Sequence, residues 1–557
     1  MKLFLSALVP TLVAATSSAS PSVTIDAGVI EGGKCPGKNA VYYKTIPYAE
    51  PPTGDLRFQP PKAYTKKYPN GKLNATSITP SCIQFGDESI PPGPKSEDCL
   101  YVDIWAPSKA SADSKLPVKF WIYGGSDTGG GVSDTLYDGC NGVEDGSIIV
   151  AVNYRLGPLG FMALNKAGIY GNQGIQDILL GLKWVQSNIA AFGGDPRKVL
   201  LFGQSAGAAD GYVVASLPEA PSLINSFISE SGGGRGLIDN STLQSVGASY
   251  ARTLNCGISN KDCLRSKSVG DLEKAYDNDK FLKEGIGAAG ALGIMSAKTH
   301  VFYPYADGKI IQSQYPLSKF KQLGDLAAFA AISQVITDSN YKCPAYFGAV
   351  QTAEKKIPAW TYEFSRKPTC PWMKSLCVLP RGQFSMVGAA HTSEIPYVFG
   401  NMQHYNFSDK SCKVPASEHR LSKQMISLWT AMAKNANPST EAIQWPRFNG
   451  TAKSYSSAGL IFGNTTTSGD VDYKSCELWA KVRAMQSTGN ATTTGGATNG
   501  SGSGTGSTTG TGTGSPTSSA SPIPTSWIPT NSAVGTVPAT GGILALSALL
   551  MGLGMVV

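Results

Sequence analysis

The sequence predicts a mostly parallel α/β sheet flanked by helices. Two short runs of β-branched and aromatic residues, 118–123 and 147–152, have the character of buried strands. Apolar residues at helical spacing follow over 174–192, and a third strand-like run covers 199–202 after a turn predicted at 193–196. Strand, helix and strand in this succession are typical of a parallel sheet with crossover helices.

Composition excludes several classes of protein. The chain has 557 residues, of which 41% are hydrophobic and 15% charged, so a globular protein with a sizeable core is expected. The net charge is +8, but the 47 lysines and arginines form no dense run. Nucleic-acid binding would need a clustered basic stripe, so we do not expect a nucleic-acid partner.

Both ends of the chain predict export to the cell surface. Residues 1–20 have the early lysine, apolar stretch and small residues of a signal peptide. Residues 541–557 are apolar, and nothing basic follows them. Small residues at 531–533 and a short spacer precede this tail, as in a GPI-attachment signal. A single-pass tail anchor is the alternative, and either would be the only contact with a membrane.

Four regions are therefore predicted: a signal peptide (1–20), a folded domain (21–485), a stalk (486–533) and a GPI-attachment signal (534–557). The stalk is rich in Gly, Ser and Thr, cannot bury apolar surface and is expected to be extended and O-glycosylated. Asn-x-Ser/Thr sequons, which fit secretion, occur at Asn74, Asn240, Asn406, Asn449, Asn464, Asn490 and Asn499. This construction suggests a secreted protein anchored at a fungal cell surface or cell wall.

Eleven cysteines in an exported chain predict disulfides with one thiol left over. Two close pairs indicate local bridges, Cys82 with Cys99 and Cys256 with Cys263. Cys370 and Cys377 could close a third small loop, and the pairing of the other five remains open. Their spacing forms no tetrahedral zinc set, so no metal is expected.

A serine motif indicates the chemistry. Ser205 lies in Gly203-Gln204-Ser205-Ala206-Gly207, directly after the strand-like run 199–202. Small residues allow a sharp strand-to-helix turn that exposes the hydroxyl, and the N–H of the next residue, Ala206, can bind an oxyanion. The glycines of segment 124–131 could add donors to this hole, although alone they would suggest a flexible surface loop.

Further segments, in family order, resemble the type B carboxylesterases, the cholinesterase/lipase branch of the α/β-hydrolases, in a fungal-type secreted form. They cover most of the folded domain and comprise residues 46–52 (IPYAEPP), 56–58 (LRF), 96–102 (SEDCLYV), 153–161 (NYRLGPLGF), 171–174 (GNQG), 192–196 (FGGDP) and 388–400 (GAAHTSEIPYVFG). The resemblance implies an α/β-hydrolase fold and a serine esterase without cofactor or metal, acting on small-molecule or lipid esters.

The resemblance also implies roles for particular residues. Ser205 matches the nucleophile, and His391 matches the general base among the four histidines of the chain, His300, His391, His404 and His419. Gly124, Gly125 and Ala206 match the oxyanion hole. Without the motif around it, a lone histidine would be read as structural.

Two departures from the family bear on the substrate. Ser126 replaces the last residue of the family's glycine triplet, where its side chain can narrow the acyl pocket. Gln204 stands where many relatives have glutamate, and the Cys82–Cys99 loop has Phe85 but no tryptophan. The cation-binding site of cholinesterases is therefore not supported, and choline esters are not expected as substrates.

A third departure concerns the acid of the triad. The family places a glutamate, in an Asn-x-Asp-Glu-Gly-like motif, at a strand end between serine and histidine, and this chain has no match. Segments 302–308 and 315–325 resemble the region before it, and the chain then passes directly to 332–338. One strand and the acid are therefore predicted to be absent together. Asp325 is expected in a turn, Asp338 on a helix surface and Glu394 as an anchor of its own loop, so the acid stays unassigned.

Two explanations of this gap remain open. Either the recorded sequence lost an exon, which the cost of unpaired buried backbone favours, or the protein truly lacks the piece. The predicted function is a secreted or surface-anchored serine carboxylesterase. The alternatives are a non-catalytic cholinesterase-like binding or adhesion protein and an inactive splice product.

Overall fold

The structure is a computed structural model that describes residues 20–85, 93–232, 240–277, 334, 337–373, 376–377, 384, 387–402 and 412–489. The described residues up to 479 belong to one compact unit, and those from 480 to 489 belong to a second. The signal peptide up to residue 19, the stalk from residue 490 onward, the GPI-attachment signal and Asp325 lie outside the described residues. Residues 486–489, predicted as the start of the extended stalk, instead end a helix, Cys476–Gly489. No described helix is long and apolar enough to cross a membrane.

The strands of the described residues alternate with the helices along much of the chain. In chain order they are β1 Ser22–Ile25, β2 Gly28–Glu31, β3 Gly33–Lys34, β4 Ala40–Pro47, β5 Lys72–Asn74, β6 Tyr101–Pro107, β7 Leu116–Ile122, β8 Ile148–Val152, β9 Ala163–Leu164, β10 Ile169–Tyr170, β11 Gly194–Gln204, β12 Ser226–Glu230, β13 Tyr362–Phe364, β14 Ser456–Phe462 and β15 Thr466–Asp472.

The helices flank the sheet. They are α1 Gly157–Phe161, α2 Gln173–Asn188, α3 Ala206–Ala215, α4 Asn240–Thr253, α5 Lys261–Ser266, α6 Val269–Tyr276, α7 Cys343–Glu354, α8 Ile395–Phe399, α9 Ala416–Asn435 and α10 Cys476–Gly489. A π-helical turn, Asp338–Lys342, leads directly into α7.

The central sheet has seven strands in the described part of the chain, in the order β12-β11-β7-β8-β6-β4-β3. Strands β12, β11, β7 and β8 are mutually parallel, and β6, β4 and β3 continue the sheet in antiparallel pairs. The three predicted strands become β7, β8 and β11. Every residue of β8 is buried, as expected for a strand covered on both faces.

The predicted turn at 193–196 is wrong in its extent. Only Gly193 has the left-handed backbone of a turn, with φ 92°. Strand β11 begins already at Gly194, which pairs with Leu116, and the register shifts between Gly194 and Val199. A bulge therefore absorbs the Asp-Pro pair that had suggested a longer turn, consistent with proline being tolerated at such irregularities.

Strands β12 and β13 each have a neighbour on one side only within the described part of the chain. Among the described residues, β12 pairs only with β11, and β13 pairs only with β14 of a separate sheet, β13-β14-β15. Four of the five residues of β12 are only partly buried, in contrast to β8.

Five disulfides connect the described residues. The predicted bridges Cys82–Cys99 and Cys256–Cys263 are confirmed. The third predicted loop is wrong, because Cys370 pairs with Cys412, 42 residues away, and Cys377 keeps its thiol. The others are Cys35–Cys140 and Cys343–Cys476, both formed by residues far apart in the chain.

Candidate active site

Ser205 lies at a strained turn between β11 and α3. Its backbone has φ 57° and ψ −122°, a conformation that is unfavourable for a residue with a side chain. The Ser205 N–H donates to the carbonyl oxygen of Glu230 at 2.9 Å, which ties the turn to the end of β12. Ala206 then begins α3, where the first N–H groups of a helix have no partner within the helix.

Glycines are needed around the turn because main chains approach one another closely. A Cβ added to Gly207 would come within 2.3 Å of the carbonyl oxygens of Ile122 and Tyr123. A Cβ on Gly203 would stand 2.6 Å from the carbonyl oxygen of Gly207. The small residues of the motif therefore allow α3 to pack against the end of β7.

The glycine-rich segment after β7 lies against the serine. A Cβ on Gly124 would be 2.9 Å from the Cβ of Ser205 and 2.5 Å from the carbonyl oxygen of Gln204. Gly125 has φ 120°, and Ser126 and Asp127 have φ 57° each, so the chain turns sharply here. Hydrogen bonds within the segment stabilise this turn, since the N–H groups of Thr128 and Gly129 both donate to the Gly125 carbonyl at 3.0 Å. It is thus a fixed loop beside Ser205 rather than a flexible surface loop.

His391 contacts Gln204, the residue that precedes the turn at Ser205. The side-chain nitrogen of Gln204 is 3.1 Å from its Nε2 and 3.5 Å from its Nδ1. The ring of Tyr341, in the π-helical turn, packs against the imidazole at a centroid distance of 4.6 Å. The structure therefore brings His391 to the residue that precedes Ser205, and Gly124 to Ser205 itself.

Aromatic packing positions the histidine loop on the sheet. Phe399, at the end of α8, lies 5.0 Å from Trp121 of β7 and 5.9 Å from Phe202 of β11, between ring centroids. The amide of Asn141 donates to the Gly400 carbonyl at 3.1 Å. These contacts fix the far end of the loop, so the position of His391 depends on the same two strands that position Ser205.

The described carboxylates near the site differ from the sequence predictions. Asp338 was expected on a helix surface, but it is 1% exposed and accepts a hydrogen bond from Gln334 at 3.2 Å, so that expectation is wrong. Its helix packs towards the site through Tyr341. Glu394 anchors its loop as expected, because its Oε1 accepts from Ser231 Oγ at 2.8 Å.

Glu230 is a site residue that sequence reasoning missed. It ends β12, is fully buried, and its Oε1 accepts from the indole N–H of Trp429 in α9 at 2.8 Å. Burial, together with the neighbouring charge of Glu394, raises its pKa well above the ordinary value. Burial also raises the pKa of Glu394 to about 7. A charged residue at the carboxyl end of a parallel strand was the available signal.

No group of three or more metal-ligating side chains occurs among the residues that the structure describes. The residues needed for nucleophilic catalysis meet here: a partly buried serine at a helix start, an imidazole in contact with the residue before it, and a glycine-rich loop against the serine.

The comparison with protein families decides the class. The model of the carboxylesterase family matches residues 19–326 and 321–479. The chain belongs to the carboxylesterase family. It is a serine carboxylic ester hydrolase with the α/β-hydrolase fold, as the sequence predicted.

Individual relatives agree with this assignment. The chain is 32% identical over 480 residues to the para-nitrobenzyl esterase of Bacillus subtilis, covering 77% of this chain and 92% of that protein. It is 28% identical over 509 residues to the human cocaine esterase, and the alignment covers 78% of this chain and 87% of that protein. A solved structure of a PNB esterase superimposes with a TM-score of 0.62 at 30% identity, over 81% of this chain and 98% of the other.

The family model matches this carboxylesterase in two segments that overlap at residues 321–326, close to the predicted deletion. The alignment with the Bacillus esterase has 480 positions, but it includes only 77% of the 557 residues of this chain, which is fewer than 480. Residues of that relative therefore have no counterpart here.

Proposed function

We propose that this protein hydrolyses carboxylic esters through an acyl-enzyme on Ser205, with His391 as the general base. The observation that supports it best is the strained backbone of Ser205, since such strain is retained at reacting groups. The family shows ester hydrolysis as the reaction class, and the roles of individual residues are our assignment.

In the proposed reaction, His391 takes the proton of the Ser205 hydroxyl as its oxygen attacks the ester carbonyl. The N–H groups of Gly124, Gly125 and Ala206 bind the negative oxygen of the tetrahedral intermediate, where one such donor is worth about 3 kcal/mol. The alcohol leaves with the proton from His391. Water then attacks the acyl-enzyme, and His391 again acts as base.

The substrates are proposed to be uncharged small-molecule or lipid esters. The names of the relatives range from a para-nitrobenzyl esterase to a cocaine esterase, so the family alone selects no alcohol. Gln204 carries no charge, and Phe85 is the aromatic residue of the Cys82–Cys99 loop. A quaternary ammonium group would find no carboxylate at position 204, which disfavours choline esters.

The protein is proposed to act outside the cell, in a fungal-type secreted form held by a GPI anchor. Five disulfides in the described residues fit an oxidising compartment. The predicted leader, stalk, sequons and C-terminal signal point the same way. Treating intact cells with phosphatidylinositol-specific phospholipase C should release the protein, and its complete retention would contradict the GPI anchor.

A second candidate is an inactive splice product of an active esterase. The unassigned acid and the shortened sequence between Ser205 and His391 favour it. Loss of the acid alone can lower turnover by about 10⁴ while the serine and oxyanion hole leave residual catalysis. Sequencing the transcript across Leu326 to Ala331 tests this candidate. A continuous message without a longer isoform would exclude it.

Esterase activity is tested with p-nitrophenyl acetate and butyrate on the exported protein and its Ser205→Ala variant. Ser216→Ala, an exposed hydroxyl at the end of α3, is the matched control. We expect a burst of p-nitrophenol and steady turnover that Ser205→Ala abolishes and Ser216→Ala leaves unchanged. Equal rates for all three folded proteins would refute a serine mechanism at this site.

A further inference from the structure

Two buried carboxyl groups, one on β12 and one in the loop of His391, have no part in the proposed ester hydrolysis. Glu230 and Glu394 are both fully buried. The main chain of Glu230 holds Ser205, because its carbonyl oxygen accepts the Ser205 N–H at 2.9 Å. Glu394 belongs to the turn that begins at His391, closed by the Ser393 N–H donating to the Ala390 carbonyl at 3.0 Å. The main chain of Glu230 thus contacts the nucleophile, and Glu394 lies three residues after the proposed base.

The chain turns so that these two carboxyl groups become neighbours. Ser231 follows Glu230 with φ 54°, a left-handed backbone that ends the strand. Its hydroxyl donates to Oε1 of Glu394 at 2.8 Å. Oε1 of Glu230 accepts from Trp429 at 2.8 Å. Each carboxyl group is therefore satisfied on one oxygen only.

The second oxygen of each carboxyl group has no hydrogen-bond partner among the described residues, and neither does a nearby tyrosine hydroxyl. Oε2 of Glu230, Oε2 of Glu394 and the hydroxyl of Tyr362 are all buried and have no hydrogen-bond partner among the described residues. Tyr362 comes from β13, and burial, followed by the charges of both glutamates, raises its pKa. No described lysine or arginine forms an ion pair with either glutamate. The titratable groups around the pair are thus Tyr362 from β13 and His391 from the turn that also contains Glu394. The indole of Trp429, from α9, is a neutral neighbour.

Two ionised carboxylates in this position would be unfavourable for two reasons. A carboxylate only accepts hydrogen bonds, so neither could satisfy the other. Two buried like charges also repel, and such a pair ionises in two separate steps. One proton removes both costs, because a protonated carboxyl group is a donor and is neutral.

We propose that Glu230 and Glu394 hold one proton between them, with Glu230 neutral and Glu394 ionised, and that this single buried negative charge stabilises the imidazolium formed on His391. The catalytic half of this inference rests on the proposed function, whereas the shared proton does not. No triad acid is assigned in this chain. Glu394 is then a positioning residue, and from the turn that contains His391 it supplies the negative charge that a triad acid would provide.

The pKa values fit this division. Burial raises the pKa of Glu394 to about 7, and burial with the charge of Glu394 raises the pKa of Glu230 well above its usual range. As pH rises, Glu394 therefore ionises first, and Glu230 keeps its proton. The pair is neutral below about pH 7 and carries one negative charge above it.

The shared proton is tested by infrared spectroscopy on the full exported chain at pH 8. We expect the carbonyl stretching band of a protonated carboxyl group in the natural protein and in Ser205→Ala. Glu230→Gln should remove the band, whereas Glu363→Gln, the same change at a half-buried glutamate of β13, should leave it. Absence of the band from the natural protein, or its persistence in Glu230→Gln, overturns the shared proton. Because Ser205→Ala is included, this result is independent of esterase activity.

The catalytic half is tested by the pH dependence of kcat for p-nitrophenyl butyrate. Glu394→Gln removes the negative charge and should lower kcat by about tenfold or more at pH 7.5, whereas the control Glu363→Gln should leave kcat within about twofold. Raising the pH should partly restore Glu394→Gln, because Glu230 then ionises, and should not restore the double variant Glu230→Gln/Glu394→Gln. Equal losses in the two single variants, or a pH-independent loss in Glu394→Gln, would overturn this role. If the natural chain has no activity that depends on Ser205, the proposed function and this role fail together while the infrared result stands.

Discussion

Gln204 is the side chain that distinguishes this site at the scale of single residues. Its amide lies 3.1 Å from Nε2 of His391, where a carboxylate would form a charged hydrogen bond with the imidazole. A neutral amide cannot stabilise the imidazolium by charge. Position 204 therefore contributes geometry but no electrostatic support to the proposed base.

We predict that Gln204→Glu moves the acid limb of the pH profile of kcat/KM upward by about one unit. The introduced carboxylate favours the protonated imidazole, so a higher pH is needed to free the base. Rates of p-nitrophenyl butyrate hydrolysis between pH 5 and 9 measure the shift. Gln204→Met is the uncharged control, and an equal shift in both variants would show that charge is not the cause.

Asp103 shows how one buried residue compensates an irregular strand. The register between β4 and β6 shifts between Tyr43 and Ile46, and Thr45 has φ 60°. The Thr45 N–H donates to Asp103 Oδ1 at 2.9 Å, and the Thr79 hydroxyl donates to the same oxygen. Burial outweighs these bonds and raises the pKa of Asp103 to about 6.

This raised pKa makes stability depend on pH in a stated direction. Asp103 binds its proton more tightly in the folded protein than in the unfolded chain. Its stabilising contribution to the free energy of unfolding is therefore complete below about pH 4 and is lost as pH rises through 6. The total change is about 3 kcal/mol. Asp103→Asn cannot titrate. We therefore expect the stability advantage of the natural protein over Asp103→Asn to shrink between pH 4.5 and 7 in urea unfolding. A difference that is constant or grows with pH would contradict the assignment.

At the scale of elements, the main feature is that β12 and β13 each pair on one side only within the part of the chain that the structure describes. Strand β12 has a hydrogen-bonded neighbour on one side within the described residues. In a parallel strand, alternate backbone groups point to opposite sides, so about half of those of β12 face the open edge. The orphaned hydroxyl of Tyr362 lies on the opposite edge.

We predict faster amide hydrogen exchange in β12 than in β7 or β8, which have neighbours on both sides. Peptides covering 226–230 should exchange at least tenfold faster than those covering 148–152, because edge amides open locally without global unfolding. Mass spectrometry after timed labelling measures this. Equal protection of the two strands would mean that another segment pairs with β12.

At the scale of the whole molecule, disulfides join parts of the chain that are remote in sequence. Cys343–Cys476 links residues 133 apart, from the start of α7 to the start of α10. Cys256–Cys263 closes a loop with a separation of only 7. In the chain-entropy description, the long loop restricts the unfolded state much more than the short one.

We expect the double variant Cys343→Ala/Cys476→Ala to lose about 4 to 5 kcal/mol of unfolding free energy, and Cys256→Ala/Cys263→Ala about 2 kcal/mol. Denaturant unfolding without reductant compares them. A larger loss from the short loop would show that local packing, rather than chain entropy, determines the contribution of these bridges.

Local patterns in the sequence determined the strands β7, β8 and β11, the turn at Ser205 and two short disulfides. Each depends on residues close together in the chain: β-branched runs, small residues around one serine, and cysteines separated by short loops. The predicted absence of one strand stays a prediction, because residues 278–333, between β12 and β13, lie outside the described part of the chain. His391 was selected by its motif among four histidines, since an isolated histidine has no local signal of its role.

Tertiary structure alone decided what approaches the site from distant segments. The proximity of Glu230 and Glu394 requires β12, the turn at His391 and Trp429 of α9 to meet, and no local pattern encodes such a meeting. The same holds for the burial of Asp338 and for the pairing of Cys370 with Cys412 instead of Cys377. Sequence spacing constrains only neighbouring residues, whereas the desolvation that shifts a carboxyl group's pKa depends on everything packed around it.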